Sequence, residues 1–514
     1  MILASIRDWV GSPVALLALV AGWYLVSAVY AWCRLRHISG PFLGSFSYLW
    51  LAHFALARKQ LAIYEMLARD YGSLVRVGPN ELVTDDPEVV RRMSVTRSRY
   101  RRSDQYIVTR TDPTHPSMFS MTDTDTHGRM KTKLLPGYNG RDNPSLEADV
   151  DSQIRNWIAL IRRKYITQKG NFPVMELARA AGLFTLDVIA KIATGEEFGC
   201  LMSDSDLHEF FEHMREALPA MSLMSHLPWI RYLYFHSYLG SRLLTPKETD
   251  TKGLGKIKAL AAESVRKRYH LDADEDEGTM LASFRRHGLT QPQCEVEAAF
   301  MFIAGSDTTA SVIRITMLNL MSAPLVYRRL KEEIASAVKE RRVSYPIRHA
   351  EARDLPYLQA VIYEGLRMRP VTSSTLFKKV PVEGDTIDGK FIPGGVEIGV
   401  NTYSLLRSRA VFGDDADVFR PERFLEVDAA ARAAMVHHVE LIFGYGQWAC
   451  AGKPIALMEL NKVYFEMLRH FDMQIVNPQK PMESFQTLAH IEVGLWVKVT
   501  ESPLGAEGLD PSVS

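Results

Sequence analysis

The chain has 514 residues, 47% of them hydrophobic, enough to bury one large core or roughly two to four smaller ones. Its 61 basic and 60 acidic residues leave a net charge of +1, which speaks against a nucleic-acid partner. Four cysteines (Cys33, Cys200, Cys294 and Cys450) lie far apart, which excludes a disulfide framework and a Cys-rich zinc site and fits a reducing compartment.

No charged residue occurs from Val10 to Cys33, and Val14-Ala-Leu-Leu-Ala-Leu-Val-Ala21 forms the centre of that run. As a helix it would span about 36 Å, enough to cross a ~30 Å hydrocarbon core with some tilt. Trp9, Trp23, Tyr24, Tyr30 and Trp32 crowd the run, and those near its ends suit the membrane interfaces. Arg34, Arg36 and His37 follow it, while Arg7 and Asp8 nearly cancel in front. The positive-inside bias therefore puts the bulk of the chain in the cytosol and makes residues 1–37 a single-pass anchor. A cleavable signal peptide is the competing reading, but the run is long and no small-x-small site follows it. Ile38-Ser-Gly-Pro-Phe-Leu-Gly44 is the hinge after the anchor.

Leu51 to Asp70 has helical patterning. Ser73–Val77 and Glu81–Thr84 flank Gly78-Pro79-Asn80 and read as strand, turn and strand. Pro87 opens a short helix through Met93. Tyr100 to Ser120 is polar, contains Pro113 and Pro116, and reads as an irregular loop of the long kind that often carries function. Asp125–Lys133 is a basic helix start or turn, a solvated cationic face. Helical patterning dominates from Leu146 to Pro246. The charged stretch Val265–Gly278 reads as a solvated loop, His437-His438 as surface or turn, and Gly389–Gly394 as a hairpin. With no boundary between Gly44 and Thr500, residues 38–500 form one domain, and 501–514, rich in Gly, Pro and Ser, a disordered tail.

Thr290 as N-cap, Pro292 in the first turn and Pro324 past the end delimit a helix of about 33 residues and roughly 50 Å. Ala304-Gly305-Ser306-Asp307-Thr308-Thr309 in its middle are poor helix formers. Small residues there either let something flat approach or make an ordinary helix crossing, and the hydroxyls can bond back to carbonyls. Glu364-Gly-Leu-Arg367 is an i, i+3 charge pair, worth at most ~0.5 kcal/mol if exposed. Near the end, Phe443-Gly444-Tyr445-Gly446-Gln447-Trp448-Ala449-Cys450-Ala451-Gly452 precedes an amphipathic run from Lys453 to Phe471. Cys450 thus sits at a helix N-terminus, where backbone N–H groups and the dipole favour a thiolate. The plain alternative is a small buried hydrophobe.

The Ala-Gly-Ser-Asp-Thr-Thr helix, Glu364-x-x-Arg367, Pro421-Glu-Arg-Phe424 and the Phe443…Cys450-x-Gly452 loop, in that order behind an anchor and a Pro-Gly hinge, resemble a membrane-bound cytochrome P-450. The loop and Gly452–Lys462 look most like the fungal pisatin-demethylase-like group of secondary metabolism. The resemblance implies a mainly α fold with small β-sheets (α+β), preceded by one transmembrane helix in the endoplasmic reticulum membrane. It implies haem b between the central helix and the cysteine loop, with Cys450 as the thiolate ligand of the iron, whose electron donation favours O–O cleavage. Gly444, Gly446 and Gly452 would turn backbone N–H groups to the sulfur, and Phe443 would pack against the haem or shield the sulfur. Asp307 and Thr308 match the family's proton-delivering acid–alcohol pair, and Ala304 with Gly305 would leave room for O2 and substrate. Glu364, Arg367 and Arg423 match its structural charge cluster. Trp448 departs from the usual arginine that pairs with a haem propionate, whereas His127 and Lys131 fall at positions that contact propionates, with Lys378 or Lys379 as further charge.

The implied activity is a monooxygenase that inserts one oxygen atom of O2 into an apolar small molecule. Electrons would come from NADPH through a separate flavoprotein reductase of the same membrane, with a b-type cytochrome as a further partner, docked on Lys and Arg around the cysteine. The implied substrate is a fungal terpenoid, polyketide or alkaloid intermediate, with walls that include Met118, Phe119, Met221, Leu223, Phe302, Leu376, Phe485 and Leu488. The alternatives are a haem-thiolate isomerase or dehydratase that does not use O2, and a non-enzymatic haem-binding protein.

Overall fold

A computed structural model describes residues 13–57, 59–238, 240, 245–270, 278–372 and 375–506. Its axis is the helix Gln291–Ser322, with Thr290 as N-cap, its N–H donating to Gln293 Oε1 at 2.9 Å. Pro324 starts the next helix, Pro324–Lys339, as the stop signal predicts. By length and composition alone the central helix could cross a membrane, but 67% of its apolar window is buried in the protein, which marks it as a core helix.

What crosses the central helix is another helix. A Cβ on Gly305 would come within 2.8 Å of Ile189 in the buried helix Leu177–Thr194, and Thr185 Oγ1 donates to the Ser306 carbonyl at 2.5 Å. Gly305 therefore serves a close helix crossing. The Lys453–His470 helix packs on the central helix as well, where Tyr464 Oη donates to the Val312 carbonyl at 3.1 Å.

The Glu364–Arg367 pair is a core element. Both side chains are fully buried, joined through Nε–Oε2 at 2.7 Å and Nη2–Oε1 at 2.8 Å. Arg423 Nε adds a contact to Glu364 Oε1 at 3.1 Å. The remaining N–H groups of the two arginines are spent on carbonyls of Leu406, Phe412, Ala416 and Val418 and on Asp415. One carboxylate thus holds together the Pro356–Met368 helix and the 406–424 meander.

A five-stranded sheet runs Leu74–Arg76, Glu81–Thr84, Glu397–Val400, Lys378–Lys379, Arg101–Arg102 in spatial order. The hairpin expected at Gly389–Gly394 lies a few residues earlier, pairing Asp385–Ile387 with Lys390–Ile392. Its turn uses left-handed backbone at Asp388 (φ 50°) and Gly389 (φ 71°), the geometry a two-residue turn requires. The 51–70 stretch breaks into helices Leu49–Leu56 and Gln60–Tyr71. A strand, Val174–Glu176, interrupts the helical run 146–246. His438, expected at the surface, is buried and its Nε2 bonds the Leu405 carbonyl at 2.7 Å, whereas His437 is exposed.

The N-terminal helix Pro13–Leu35 exposes its apolar side chains, yet its last turn is built into the body. The buried Arg76 guanidinium donates to the carbonyls of Ala31 (3.0 Å), Ser45 (3.0 Å), Gly78 (3.1 Å) and Pro79 (2.9 Å). Arg34 Nη2 reaches the Gly394 carbonyl at 2.8 Å. At the other end of the chain, Glu501 closes the strand Trp496–Glu501 and Pro503–Ala506 forms a 3-10 turn, so the first residues of the expected tail take regular structure. Residues 507–514, the acidic run 272–277 and the flanking residues Arg7, Asp8 and Trp9 lie outside the described residues.

Candidate active site

The cysteine loop is built on two left-handed glycines. Gly444 (φ 74°) and Gly446 (φ 55°) take conformations other residues resist, and a Cβ would meet the Trp448 carbonyl at 2.7 Å and the Ser94 carbonyl at 2.3 Å. Cys450 N–H donates to the Phe443 carbonyl at 2.6 Å, closing the loop on itself. Gly452 precedes the helix, and a Cβ there would stand 3.9 Å from Cys450 Sγ. Cys450 is exposed, although the protein packed around it makes its thiolate costly to desolvate. Burial pushes the thiol up, and the N–H groups of Gly452 and Lys453 with the charges of Lys131 and Lys453 oppose it. The Lys453 ammonium lies 5.8 Å from the Phe443 ring centre.

Four basic side chains converge on the flank of this loop. The helix Thr124–Tyr138, N-capped by Asp123, carries two of them. Lys131 Nζ donates to the carbonyls of Gln447 (3.1 Å) and Ala449 (2.6 Å). The buried His127 ring lies 4.6 Å from that of Trp448. Arg102, also buried, stands 4.5 Å over the Trp448 ring and donates to the carbonyls of Met118, Phe119 and Met121 at 2.9, 2.7 and 3.1 Å. Lys378 is buried with its ammonium on Ser94 Oγ, while Ser94's carbonyl accepts the Gln447 N–H at 3.1 Å. Lys379 points elsewhere, to Asp104 at 2.7 Å.

Burial, and for the others the charge of Arg102, drives all four toward the neutral form. His127 falls to about 3, Lys378 to about 7 and Arg102 to about 10, and Lys131 is lowered too. Among the described residues no carboxylate offsets this in any of the four. Arg102 Nε, Trp448 Nε1 and Gln447 Nε2 are buried donors without a partner. Unpaired donors and uncompensated cations at one place make a receptor for carboxylates.

On the central helix, Phe300, Ala304 and Thr308 recur every fourth residue and are half-buried, as are Ile303 and Gly305 beside Ala304, so this side of the helix is less tightly covered than the rest. Phe300 stacks on Phe119 at 4.9 Å, and Phe119 lies 5.5 Å from the Arg102 guanidinium. This chain of contacts joins that side of the helix to the flank of the cysteine loop. Thr308 Oγ1 donates to the Ala304 carbonyl at 2.7 Å, the back-bonding its hydroxyl favours in a helix. Asp307 is buried, and its Oδ1 accepts from Arg314 Nη1 at 2.8 Å. The acid and the alcohol are neighbours in sequence but occupy different faces.

Several side chains matter here that the motifs do not name. Arg102 stands in an Arg-Arg doublet at the edge of the five-stranded sheet, and nothing local distinguishes it from exposed Arg101. Arg314 lies two helical turns after Asp307, a spacing that puts both on one side. Phe302, expected in the pocket wall, is fully buried against Phe198 at 5.1 Å and belongs to the core. Leu376 adopts φ 48°, unusual for a bulky residue and a sign of local strain next to Phe377 and Lys378.

Comparison with known proteins bears on the whole chain. Residues 40–498 match the family described as cytochrome P-450. The cytochrome P-450 monooxygenase aba1 of Botryotinia fuckeliana is 47% identical over 472 residues, covering 91% of this chain and 92% of the relative. The cytochrome P-450 monooxygenase ABA1 of Pyricularia oryzae is 44% identical over 499 residues, covering 95% and 97%. Pisatin demethylase of Fusarium vanettenii is 30% identical over 472 residues, covering 90% and 89%.

Proposed function

Since this chain belongs to the cytochrome P-450 family and is a monooxygenase of it, we propose that it oxidises an apolar small molecule of fungal secondary metabolism, a terpenoid, polyketide or alkaloid intermediate. The observation that carries the reading is the meeting of the Cys450 loop with four basic side chains, three of them buried, that have no carboxylate partner among the described residues. These residues fit the haem b that the family implies: one sulfur at a helix N-terminus, and donors suited to two carboxylates beside it.

Cys450 is the proposed thiolate ligand, with Gly444, Gly446 and Gly452 shaping the loop and Phe443 covering it. Arg102, Lys378, Lys131, His127 and the Trp448 indole are the proposed partners of the two propionates, so charge missing at 448 is supplied by Arg102 stacked on the ring that replaces it. When bound, the haem supplies the activation of O2 with electrons delivered from outside the chain. Thr308 and Ala304 lie on the less tightly covered side of the central helix, where Thr308 Oγ1 would hand on protons and Asp307 would supply them. Met118 and Phe119, tied to Arg102 by their carbonyls, link substrate walls to the propionate side.

The residues Arg34, Arg36 and His37 behind the apolar helix favour a cytosolic catalytic domain on an endoplasmic reticulum anchor. An NADPH-dependent flavoprotein reductase, with a b-type cytochrome as alternative donor, is the proposed electron source. The deciding experiment is coexpression with such a reductase, feeding of candidate intermediates and mass spectrometry of the products. Oxygenated product that disappears with Cys450→Ala is expected. Loss of coupling between NADPH use and product in Thr308→Ala is expected as well, and unchanged yield there would point to chemistry that does not use O2.

A further inference from the structure

The acid of the Asp307–Thr308 pair is held by a guanidinium that a second carboxylate also claims. Arg314 Nη1 lies 2.8 Å from Asp307 Oδ1 and 3.7 Å from Glu492 Oε2. Arg314 Nε donates to the Ala178 carbonyl at 2.8 Å, which fixes the arginine against the neighbouring helix. Glu492 comes from a distant element, the strand His490–Val493 of a hairpin with Glu483–Gln486. Its side chain is fully buried, and its Oε1 lies 3.6 Å from Arg369 Nη1. Arg369 in turn donates through Nη2 to Ser484 Oγ at 2.6 Å in the partner strand.

The surroundings of Glu492 are settled from every side. The central helix offers Arg314, the Ser311 hydroxyl and the repelling charge of Asp307, and the segment after the Pro356–Met368 helix offers Arg369. Glu176, on the strand Val174–Glu176, adds its charge to Arg314 but is itself committed to the N–H groups of Arg179, Gly494 and Leu495 at 2.5, 2.7 and 3.0 Å. His490, on Glu492's own strand, is buried and driven neutral, down to about 3, so it adds no charge near neutrality. Two carboxylates and two guanidiniums, all buried but the part-exposed Arg369, thus form one network whose nearer end is the acid of the motif.

We propose that Glu492 is a positioning residue for the Asp307–Thr308 pair, drawing on Arg314 and so setting how tightly Asp307 is held away from Thr308. The proposal rests on the reading of that pair as the proton source. Coulomb attraction falls with distance, so an ionised Glu492 at 3.7 Å weakens but does not cancel the hold of Arg314 on Asp307 at 2.8 Å. A neutral Glu492 leaves Arg314 wholly to Asp307. Burial holds Glu492 up at about 6, against the pull of Arg314 and Arg369, so both conditions lie within a workable pH range. Above that value the acid is loosened, and below it the acid is locked.

The test uses the full-length haem-loaded protein in lipid with an NADPH-dependent reductase and no substrate. Electrons from NADPH then leave in two ways: two electrons and two protons with O2 give hydrogen peroxide, and four electrons and four protons give two waters. The peroxide released per NADPH reads proton supply, and reductase activity toward a soluble acceptor normalises electron supply at each pH. In the wild type the peroxide share should rise about threefold as pH falls through the Glu492 titration. Glu492→Gln should show the raised share at every pH with no inflection, and Asp307→Asn should raise it further.

A wild-type profile without an inflection between about pH 5 and 7, or a Glu492→Gln profile that follows the wild type, overturns the proposal. An Asp307→Asn variant with unchanged peroxide share overturns the acid–alcohol reading itself, which separates the two failures. Haem content is measured for each variant, and if Glu492→Gln does not hold haem the wild-type profile decides alone.

Discussion

Arg102→Met offers the sharpest probe of the base cluster. Burial lowers this guanidinium from 12.5 to about 10 in the haem-free protein. At ~1.36 kcal/mol per pH unit, keeping the charge there costs on the order of 3 kcal/mol. An anion set against it returns that cost, and breaking a buried ion pair carries a similar penalty of ~3–5 kcal/mol. Arg102→Met should therefore raise the haem dissociation constant by about a hundredfold or more, measured by haem transfer to apomyoglobin. The variant also cuts three bonds to the 118–121 carbonyls, so loop loosening must be separated from lost charge. Haem dimethyl ester does this, because its propionates carry no charge. With the ester, wild type and variant should bind alike to within ~0.5 kcal/mol, as independent changes do. If the variant weakens both haems equally, Arg102 acts through the loop and the propionate reading is refuted. Arg101→Met, at the exposed neighbour, should leave both unchanged.

Glu364→Gln leaves Arg367 and Arg423 buried with no carboxylate between them, and should cost ~3–5 kcal/mol of stability, seen as haem loss and a lowered melting temperature; an unchanged melting curve would contradict the cluster's role. Lys378 gives a pH signature: its pKa falls from 10.5 to about 7 on folding, so between those values the unfolded chain holds a proton that the folded one lacks. Stability of the haem-free protein should rise with pH across that window, and haem binding, by restoring the charge, should take up a proton and weaken from pH ~7 to ~9. Lys378→Met should flatten the slope in a haem titration. Arg76→Met should free the last turn of the N-terminal helix while the domain keeps its haem, so that protease cleaves residues 38–44 about tenfold faster; equal cleavage rates would mean the guanidinium is not what fastens that helix.

The parts of this protein that were legible in the sequence are those governed by contacts within a few residues. Thr290, Pro292 and Pro324 end the central helix because cap geometry and a missing N–H act locally. The glycines around Cys450 mark backbone that must go left-handed, and the helix after them follows from its apolar period. A hairpin near Gly389 is legible for the same reason, although its strands fall at 385–387 and 390–392. Identity of side chains says less about where they face. Gly305 could serve a cofactor or a helix, and only the approach of Ile189 shows that it serves a helix crossing. Glu364-x-x-Arg367 has the spacing of an exposed pair, and only the arrival of Arg423 and the 406–418 carbonyls buried it. Arg102 looks like its exposed neighbour until a sheet edge carries it over Trp448, a partner 346 positions away. Glu492 meets Asp307 only through Arg314. Backbone hydrogen bonds and side-chain period are properties of a segment, whereas burial and charge partners are set by which distant segments pack together. For that reason the sequence alone pointed to the thiolate loop and the central helix, and the tertiary structure alone assembled the bases and the second carboxylate around them.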